Sequence, residues 1–263
     1  MMRRLHPTFA CGSLTLAGTL DTAPGHTGLL MVSGGNEVRS GAFRGQAHLS
    51  SAIARAGFPV FRFDRRGIGD SEGDNRGFRS SERDIESALR AFRALAPDVE
   101  RVIAFGNCDA ASALMLAGGA GCDGLVLANP WTFEEAEPGC DPLPAPAAVR
   151  NRYAAKIKDP AEIKRLLRGG VNLAKLAKGL WRAVSGGAPL GARLVEEMRE
   201  GLATFQGDVA ILLASADRTA QQFDHDWNSA DPRIKRCDGA GHAFAKPEHA
   251  RWLEERILAA LRA

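Results

Sequence analysis

A short segment near the middle of the chain restricts the fold more than any other part of the sequence. The apolar run at residues 102–105 ends at Gly106, and Cys108 stands two residues later. Small and apolar residues then predict a helix from Ala110 to about Gly118. A strand, a sharp turn with a cysteine at its tip and a helix match a nucleophile elbow, which usually carries serine. The turn exposes the thiol beside a helix N-terminus, which favours the thiolate.

Strands and helices alternate on both sides of this segment. Apolar runs at residues 28–32, 59–64, 124–128 and 209–214 predict buried strands, 233–235 a shorter one, and 14–20 an early antiparallel strand. Helical spacing is present at 43–56, from Ser80 or Ser81 to about 96, and at 247–261. Strands that are repeatedly followed by helices indicate an α/β fold, with a mostly parallel central sheet flanked by helices.

The alternation stops between residues 131 and 207. Four prolines mark an irregular connection, at positions 138, 142, 144 and 146, and helical stretches follow near 160–168, 173–184 and 190–202. The segment is too long for a simple loop. We therefore predict a catalytic domain formed by 1–130 and 208–263, with a helical cap inserted at 131–207.

Composition limits the partners and the location of the protein. The net charge of the 263 residues is only +3, which does not suggest a nucleic-acid partner. The five cysteines include no CxxC pair, which speaks against a zinc site or a disulfide framework and fits a reducing compartment. No stretch resembles a signal peptide or a membrane span. We expect a cytoplasmic protein without a metal or another cofactor.

A cysteine nucleophile needs a base, and His242 is the best placed of the six histidines. It lies in the glycine-containing turn 238–244, between the last predicted strand and the closing helix. Loops at the carboxyl ends of parallel strands are where α/β folds carry catalytic groups. The alternative is a histidine on a surface loop with no catalytic role.

Asp217 is the predicted carboxylate partner of His242. It follows the strand at 209–214, so the chain order is Cys108, Asp217, His242, which is the nucleophile–acid–base order of α/β-hydrolases. Asp217 is also a candidate N-cap of the helix that starts near residue 219. Other candidate acids are less well placed along the chain, namely Asp224, Asp226, Glu134 and Glu135.

An acyl-transfer intermediate needs two backbone donors for its oxyanion. One is expected to be the N–H of Asp109, immediately after the nucleophile. The other is expected from the glycine loop after the strand at 28–32, at Gly35 or Asn36. Adjacent glycines let a backbone approach a substrate closely, although most such pairs mark only a tight turn.

These motifs together resemble the α/β-hydrolase superfamily. Residues 63–73, with the sequence FDRRGIGDSEG, are similar to the D-x-R-G-x-G-x-S segment that follows a strand in many of these enzymes. With the loop GGNEVRSG at 34–41 and the cysteine elbow, the chain resembles the exosortase A system-associated hydrolases of the first type. That resemblance implies an α/β-hydrolase fold and a bacterial cytoplasmic hydrolase linked to exopolysaccharide production. The triad itself resembles that of the dienelactone hydrolases.

The sequence favours an acyl hydrolase that acts on esters, lactones or thioesters through a covalent acyl-enzyme. An acyltransferase with the same triad and a non-enzymatic binding protein are the alternatives. Residues 150–182 carry ten basic and two acidic residues. This charge is either a solvated helix face or a surface that attracts an anionic acyl group, an acyl-carrier protein or a membrane surface.

Overall fold

The computed structural model of the protein describes residues 3–133 and 192–263. The chain divides into two compact units, one formed by Met1–Thr132 with Leu194–Ala263 and the other by Phe133–Arg193. The elements and the site described below belong to the first unit.

Within the described residues, nine strands form one sheet. They are β1 (Arg4–Leu5), β2 (Thr8–Cys11), β3 (Leu14–Asp21), β4 (Thr27–Val32), β5 (Val60–Phe63), β6 (Arg101–Asn107), β7 (Gly124–Ala128), β8 (Asp208–Ala214) and β9 (Ile234–Cys237). The order across the sheet is β1-β3-β5-β4-β6-β7-β8-β9, and β2 pairs with β3. Strands β4 to β9 are parallel, whereas β3 is antiparallel to β1, β2 and β5. The predicted mostly parallel sheet is confirmed.

Helices cover both faces of this sheet. The α-helices of the described residues are α1 (Gly45–Arg55), α2 (Glu82–Leu95), α3 (Asp109–Leu116), α4 (Ala192–Thr204), α5 (Arg218–Asp226) and α6 (Pro247–Arg262). Short 3₁₀ turns lie at Ala42–Arg44, Phe78–Ser80 and Gly118–Gly121. None of these helices combines the length and the apolar character that crossing a bilayer requires.

Alternating side chains of the central strands fill two separate cores. In β6, Val102 and Ala104 point to the core beneath α2 to α5, while Ile103 and Phe105 point to the core beneath α1 and α6. Both faces are buried, which explains why these strands are continuous apolar runs in the sequence. Full burial of each large apolar side chain contributes about 1.5–3 kcal/mol to stability.

The register of the parallel strands brings their carboxyl ends to one edge. Val32 of β4 pairs with Gly106 of β6, and Asn107 pairs with Ala128 of β7. Ala128 in turn pairs with Leu212 of β8. Loops after these strands therefore start side by side, although they are far apart in the sequence.

Helix α4 lies inside the range 131–207 that the sequence assigned to the cap. Its buried residues Leu194, Val195, Met198 and Leu202 join the core of the first unit. A Cβ on Gly201 would lie 2.1 Å from the carbonyl oxygen of Met115, so the helix packs closely on the end of α3. Residues 134–191 lie outside the described residues, and the cap remains a prediction.

Candidate active site

Cys108 occupies the turn between β6 and α3 in a strained backbone conformation. Its φ is 64° and its ψ is −129°, which few non-glycine residues adopt. The turn is tight enough that a Cβ on Gly106 would lie 2.7 Å from the backbone of Ala110. The small residues that the sequence offered around the elbow are therefore a steric requirement, and the predicted strand–turn–helix geometry is present.

Backbone hydrogen bonds hold the elbow from both sides. The Cys108 N–H donates to the carbonyl of Ala128 over 3.0 Å, which extends the pairing of β6 with β7. The Cys108 carbonyl accepts from Ala111 at 3.1 Å and from Trp131 at 3.3 Å. The thiol is partly exposed at the N-terminal end of α3. These contacts fix the backbone of Cys108 and thereby the direction of its Cα–Cβ bond.

The structure brings His242 and Asp217 together from separate loops. The Nδ1–H of His242 donates to Oδ2 of Asp217 over 2.9 Å. The same oxygen accepts from the N–H of Ala220 over 3.1 Å, so Asp217 is also the N-cap of α5. The catalytic and the capping interpretations of Asp217 are thus compatible, because one carboxylate makes both contacts.

Hydrogen bonding shifts the protonation of both residues. The bond to Asp217, and next a hydrogen bond with Cys108, raise the pKa of His242 to about 10 against the opposing effect of burial. Burial alone would raise the pKa of Asp217, but hydrogen bonds from His242 and the N-terminal amides of α5 hold it below its usual value. His242 and Asp217 therefore form a hydrogen-bonded pair in which the carboxylate favours the protonated form of the imidazole.

The loop after β4 passes directly beside the elbow, as expected of an oxyanion loop. A Cβ on Gly34 would lie 2.5 Å from the carbonyl of Asn107 and 3.5 Å from the Cβ of Cys108. The Gly35 N–H, however, donates to the carboxylate of Asp109 over 2.6 Å. One of the predicted oxyanion donors is thus occupied by a side chain of the protein itself.

Arg65 holds this arrangement in place. It is 4% exposed and donates to the Gly35 carbonyl over 2.6 Å, to the hydroxyl of Ser81 over 3.0 Å and to Asp109 over 3.3 Å. Asn36, the other predicted donor in the loop, is exposed, and its side chain accepts a hydrogen bond from Asn75. Arg65 is thus nearer to the candidate site than its motif suggested.

Two asparagines that sequence reasoning missed support the histidine loop. The side-chain amides of Asn107 and Asn129 donate to the carbonyl oxygen of His242 over 3.3 and 3.2 Å. Asn129 also donates to Asn107 over 2.9 Å and accepts from the N–H of Ala214 over 2.8 Å. Asn129 is fully buried with a φ of 43°, a conformation in which asparagine is enriched. It therefore joins the ends of β6, β7 and β8 to the loop that carries His242.

The FDRRGIGDSEG segment stabilises the neighbouring loops. Asp64 is buried and accepts hydrogen bonds from the backbone N–H of Arg39 over 2.5 Å and of Asp70 over 3.2 Å. The Ser71 hydroxyl donates to the Asp64 carbonyl and accepts from the N–H of Ala17. The segment joins the end of β5 to β3 and to the loop after β4.

The rival acids are engaged elsewhere or lie outside the described part of the chain. Asp224 pairs with Arg236, and Asp226 accepts from Thr132. Glu134, Glu135 and the basic stretch 150–182 lie outside the described residues. Across 3–133 and 192–263, no three metal-ligating side chains converge on a common point.

Solved structures of similar architecture include several hydrolases. A structure of DcsB in complex with its substrate analogue matches with a TM-score of 0.63 and 14% identity, over 100% of this chain and 99% of that one. The esterase Pf2001 of Pyrococcus furiosus matches with a TM-score of 0.62 and 15% identity, over 100% and 91% of the two chains. Est1E from Butyrivibrio proteoclasticus, solved with ferulic acid bound, matches with a TM-score of 0.59 and 14% identity, over 98% and 100%. At these identities the likeness shows the fold alone.

No curated protein matches the sequence significantly. The sequence model of one family, described as the Alpha/beta hydrolase family, matches residues 29–256. This range starts in β4, which precedes the glycine loop, and includes Cys108, Asp217 and His242. The chain therefore belongs to the Alpha/beta hydrolase family.

Proposed function

We propose that the protein is an acyl hydrolase in which Cys108 is the nucleophile, His242 the proton carrier and Asp217 the acid that orients His242. The observations that carry the proposal are the 2.9 Å hydrogen bond between His242 and Asp217, and the contact of the His242 carbonyl with Asn107, the residue next to Cys108. A nucleophile, a base and a group that orients the base are the parts that covalent acyl transfer requires. Their arrival from three separate loops argues against chance proximity.

The reaction proceeds in two halves. The Cys108 thiolate attacks the acyl carbon, a C–S bond forms, and the carbonyl oxygen becomes an oxyanion near the Asp109 N–H. The His242 imidazolium gives its proton to the leaving oxygen or sulfur as that bond breaks. Neutral His242 then takes a proton from water, whose oxygen attacks the thioester, and the thiolate leaves with the carboxylic acid as product.

A protonated His242 can give a proton to the leaving group, but it cannot act as a base toward the nucleophile. It therefore suits substrates whose reaction depends on protonation of the leaving group. Esters, lactones and thioesters fit this chemistry better than ordinary amides, whose leaving groups are poorer. The resemblance of the loops at 34–41 and 63–73 to exosortase-associated hydrolases supports a cytoplasmic role linked to exopolysaccharide production. The acyl group is expected to belong to a small molecule, either free or bound to a carrier.

Replacement of Cys108 by alanine should abolish turnover. We expect kcat/KM for p-nitrophenyl acetate, a small lactone and an acyl-CoA to fall by roughly 10³-fold or more, because no covalent intermediate can form. Intact-mass analysis of the wild-type protein should show one acyl adduct. Cys122→Ala is the matched control, since Cys122 is buried and its thiol pKa is raised to about 12 by burial and by nearby Asp123. Equal adduct formation in Cys108→Ala and wild type would exclude the assignment.

The pH dependence of the rate tests the His242–Asp217 pair. His242 can protonate a leaving group only below its pKa, so kcat/KM should fall as the pH rises through about 10. Asp217→Asn keeps an N-cap side chain for α5 but removes the carboxylate, and the His242 pKa should drop toward its ordinary 6.5. The descending limb should move to lower pH, and a ring-NMR titration of His242 should move with it. If neither the pH profile of kcat/KM nor the NMR titration of His242 changes, Asp217 has no role in the mechanism.

Truncation of Asp109 should free the second oxyanion donor. In Asp109→Ala the Gly35 N–H loses its carboxylate acceptor, and a negative charge leaves the place where the oxyanion develops. Since a single oxyanion donor contributes about 10²–10³-fold in kcat, we expect acylation to accelerate at least tenfold. Loss of an acid from the first turn of α3 should cost about 0.3–1 kcal/mol of stability, and loss of the carboxylate partner of buried Arg65 should add to that cost. Asp109→Asn, which retains an acceptor, is the control and should gain less. A slower Asp109→Ala enzyme would mean that this carboxylate is needed to order the loop.

Asn129 is predicted to act by positioning His242. Asn129→Gly tolerates the positive φ but removes three hydrogen bonds, to the His242 carbonyl, to the Asn107 side chain and from the Ala214 N–H. We expect kcat to fall about 10²-fold, as for a displacement of about 1 Å, with KM nearly unchanged. The descending pH limb should also move to lower pH as the contact with Asp217 loosens. Asn228→Gly, in an exposed turn, is the control and should match wild type. If only the melting temperature of Asn129→Gly changes, its role is structural.

A further inference from the structure

A cavity of about 420 Å³ lies between β3, β5 and the connection from β4 to α1. This volume falls in the range of about 300–1,000 Å³ that is typical of small-molecule sites. Four arginines line it, from β1, from the connection, from the start of α1 and from β5, namely Arg4, Arg39, Arg44 and Arg62. The residues that carry the proposed acyl chemistry, Cys108, His242 and Asp217, do not line it.

Carboxylates around the cavity neutralise these arginines only in part. Asp21 is buried between Arg4, at 2.6 Å, and Arg62, at 3.6 Å. Asp64 and Asp70 both pair with Arg39. Three carboxylates thus face four guanidinium groups.

The cation that remains uncompensated is Arg44, which has no ion-pair partner among the described residues. It is exposed at the mouth of the cavity. A ligand could therefore reach this charge without displacing a carboxylate of the protein.

Arg62 shows that positive charge is in excess deeper in the cavity. Its side chain is 3% exposed, one Nη donates to the Arg39 carbonyl over 2.6 Å, and Nε has no hydrogen-bond partner among the described residues. Burial lowers the pKa of Arg62 to about 10, and repulsion from Arg4 and Arg39 acts in the same direction against the attraction of Asp21. A buried cation with incomplete pairing is costly, and an anion nearby would offset that cost.

The N-terminus of α1 adds to the positive potential. Arg44 is its N-cap, makes no side-chain capping bond, and no acid is present in the first turn. Ala47 of that turn lines the cavity. Helix N-termini favour acids and bind anions, so an arginine at the N-cap is the opposite of the usual choice.

The backbone that presents Arg44 is strained. Phe43 and Arg44 have φ values of 52° and 62°, and Phe43 is 96% exposed, so packing of its ring does not offset the strain. Conformations of this kind cost about 1–3 kcal/mol each and cluster at ligand sites.

We propose that this cavity is a binding site for a small molecule that carries a compact oxyanion, a phosphate or a carboxylate, held by Arg44 and by the arginines on the cavity wall next to the N-terminus of α1. Guanidinium groups match the geometry of both oxyanions, and the cavity has room for the remainder of a small molecule. The site is separate from the proposed acyl chemistry and does not depend on it.

Titration with inorganic phosphate tests the proposal directly. At constant ionic strength, the amide NMR signals of Gln46 and Ala47 should shift saturably, and calorimetry should give the same affinity. Arg44→Gln should bind at least tenfold more weakly, because a charge-assisted contact is lost. Arg55→Gln removes the same charge from the exposed last turn of the same helix and should bind like wild type. Arg44→Lys, which keeps the charge, should recover part of the affinity.

Parallel titrations with acetate and with a sugar phosphate identify which oxyanion the site prefers. Cys108→Ala should bind phosphate as wild type does, so this result is independent of the outcome for the acyl hydrolase. Equal affinities in wild type and Arg44→Gln, shifts that do not saturate, or no shift at Gln46 and Ala47 would each overturn the proposal. Near-ultraviolet circular dichroism of each variant checks that it is folded, so that a loss of binding can be assigned to the substituted side chain and not to unfolding.

Discussion

The buried side chain of Asn129 joins the three chain segments that carry Cys108, Asp217 and His242. Its amide reaches Asn107, next to the nucleophile, and the carbonyl of His242, while its oxygen accepts from Ala214, three residues before Asp217. Parallel strands bring loops to one edge of a sheet, but they do not fix the height or the angle of each loop. Direct hydrogen bonds between the strand ends and the histidine loop fix the position of that loop. They are partly buried and link the same few groups to one another, so they favour one geometry.

Electrostatics around Cys108 divide into two oppositely acting pairs. Asp217 favours the protonated form of His242, whereas the carboxylate of Asp109 accepts from the Gly35 N–H of the loop after β4 and pairs with Arg65. In the proposed mechanism the first pair acts on the nucleophile and supplies the proton. Asp109 of the second pair occupies the Gly35 N–H that an oxyanion would need. The mechanism we propose therefore requires the substrate to compete with Asp109 for that donor, and a strongly polarised acyl oxygen competes best.

The sequence was sufficient to predict the parallel sheet and the strand–turn–helix at Cys108, because both depend on local pattern: apolar runs and small residues around Cys108. Their positions after strands also predicted that Asp217 and His242 lie close together, as their hydrogen bond shows. It was insufficient where the decisive contact joins distant segments. Asn107 and Asn129 resemble ordinary turn residues after a strand, and only the register of β6 with β7 makes them neighbours. Asp109 was assigned by its backbone N–H alone, since its carboxylate meets Gly35 only after the β4 loop folds over the elbow. Strands β1 and β2 were missed because they are short and largely exposed, without the apolar run that marks a buried strand.

The connection from β4 to α1 contributes to both proposed sites through opposite ends. Gly34 and Gly35 lie against the elbow, whereas Arg39 and Arg44 line the arginine cavity. Between them, Asp64 fixes the connection at Arg39 through the backbone N–H and the guanidinium. The proposed acyl chemistry and the proposed anion site depend on different contacts. Activity measurements test the first, and phosphate titration tests the second.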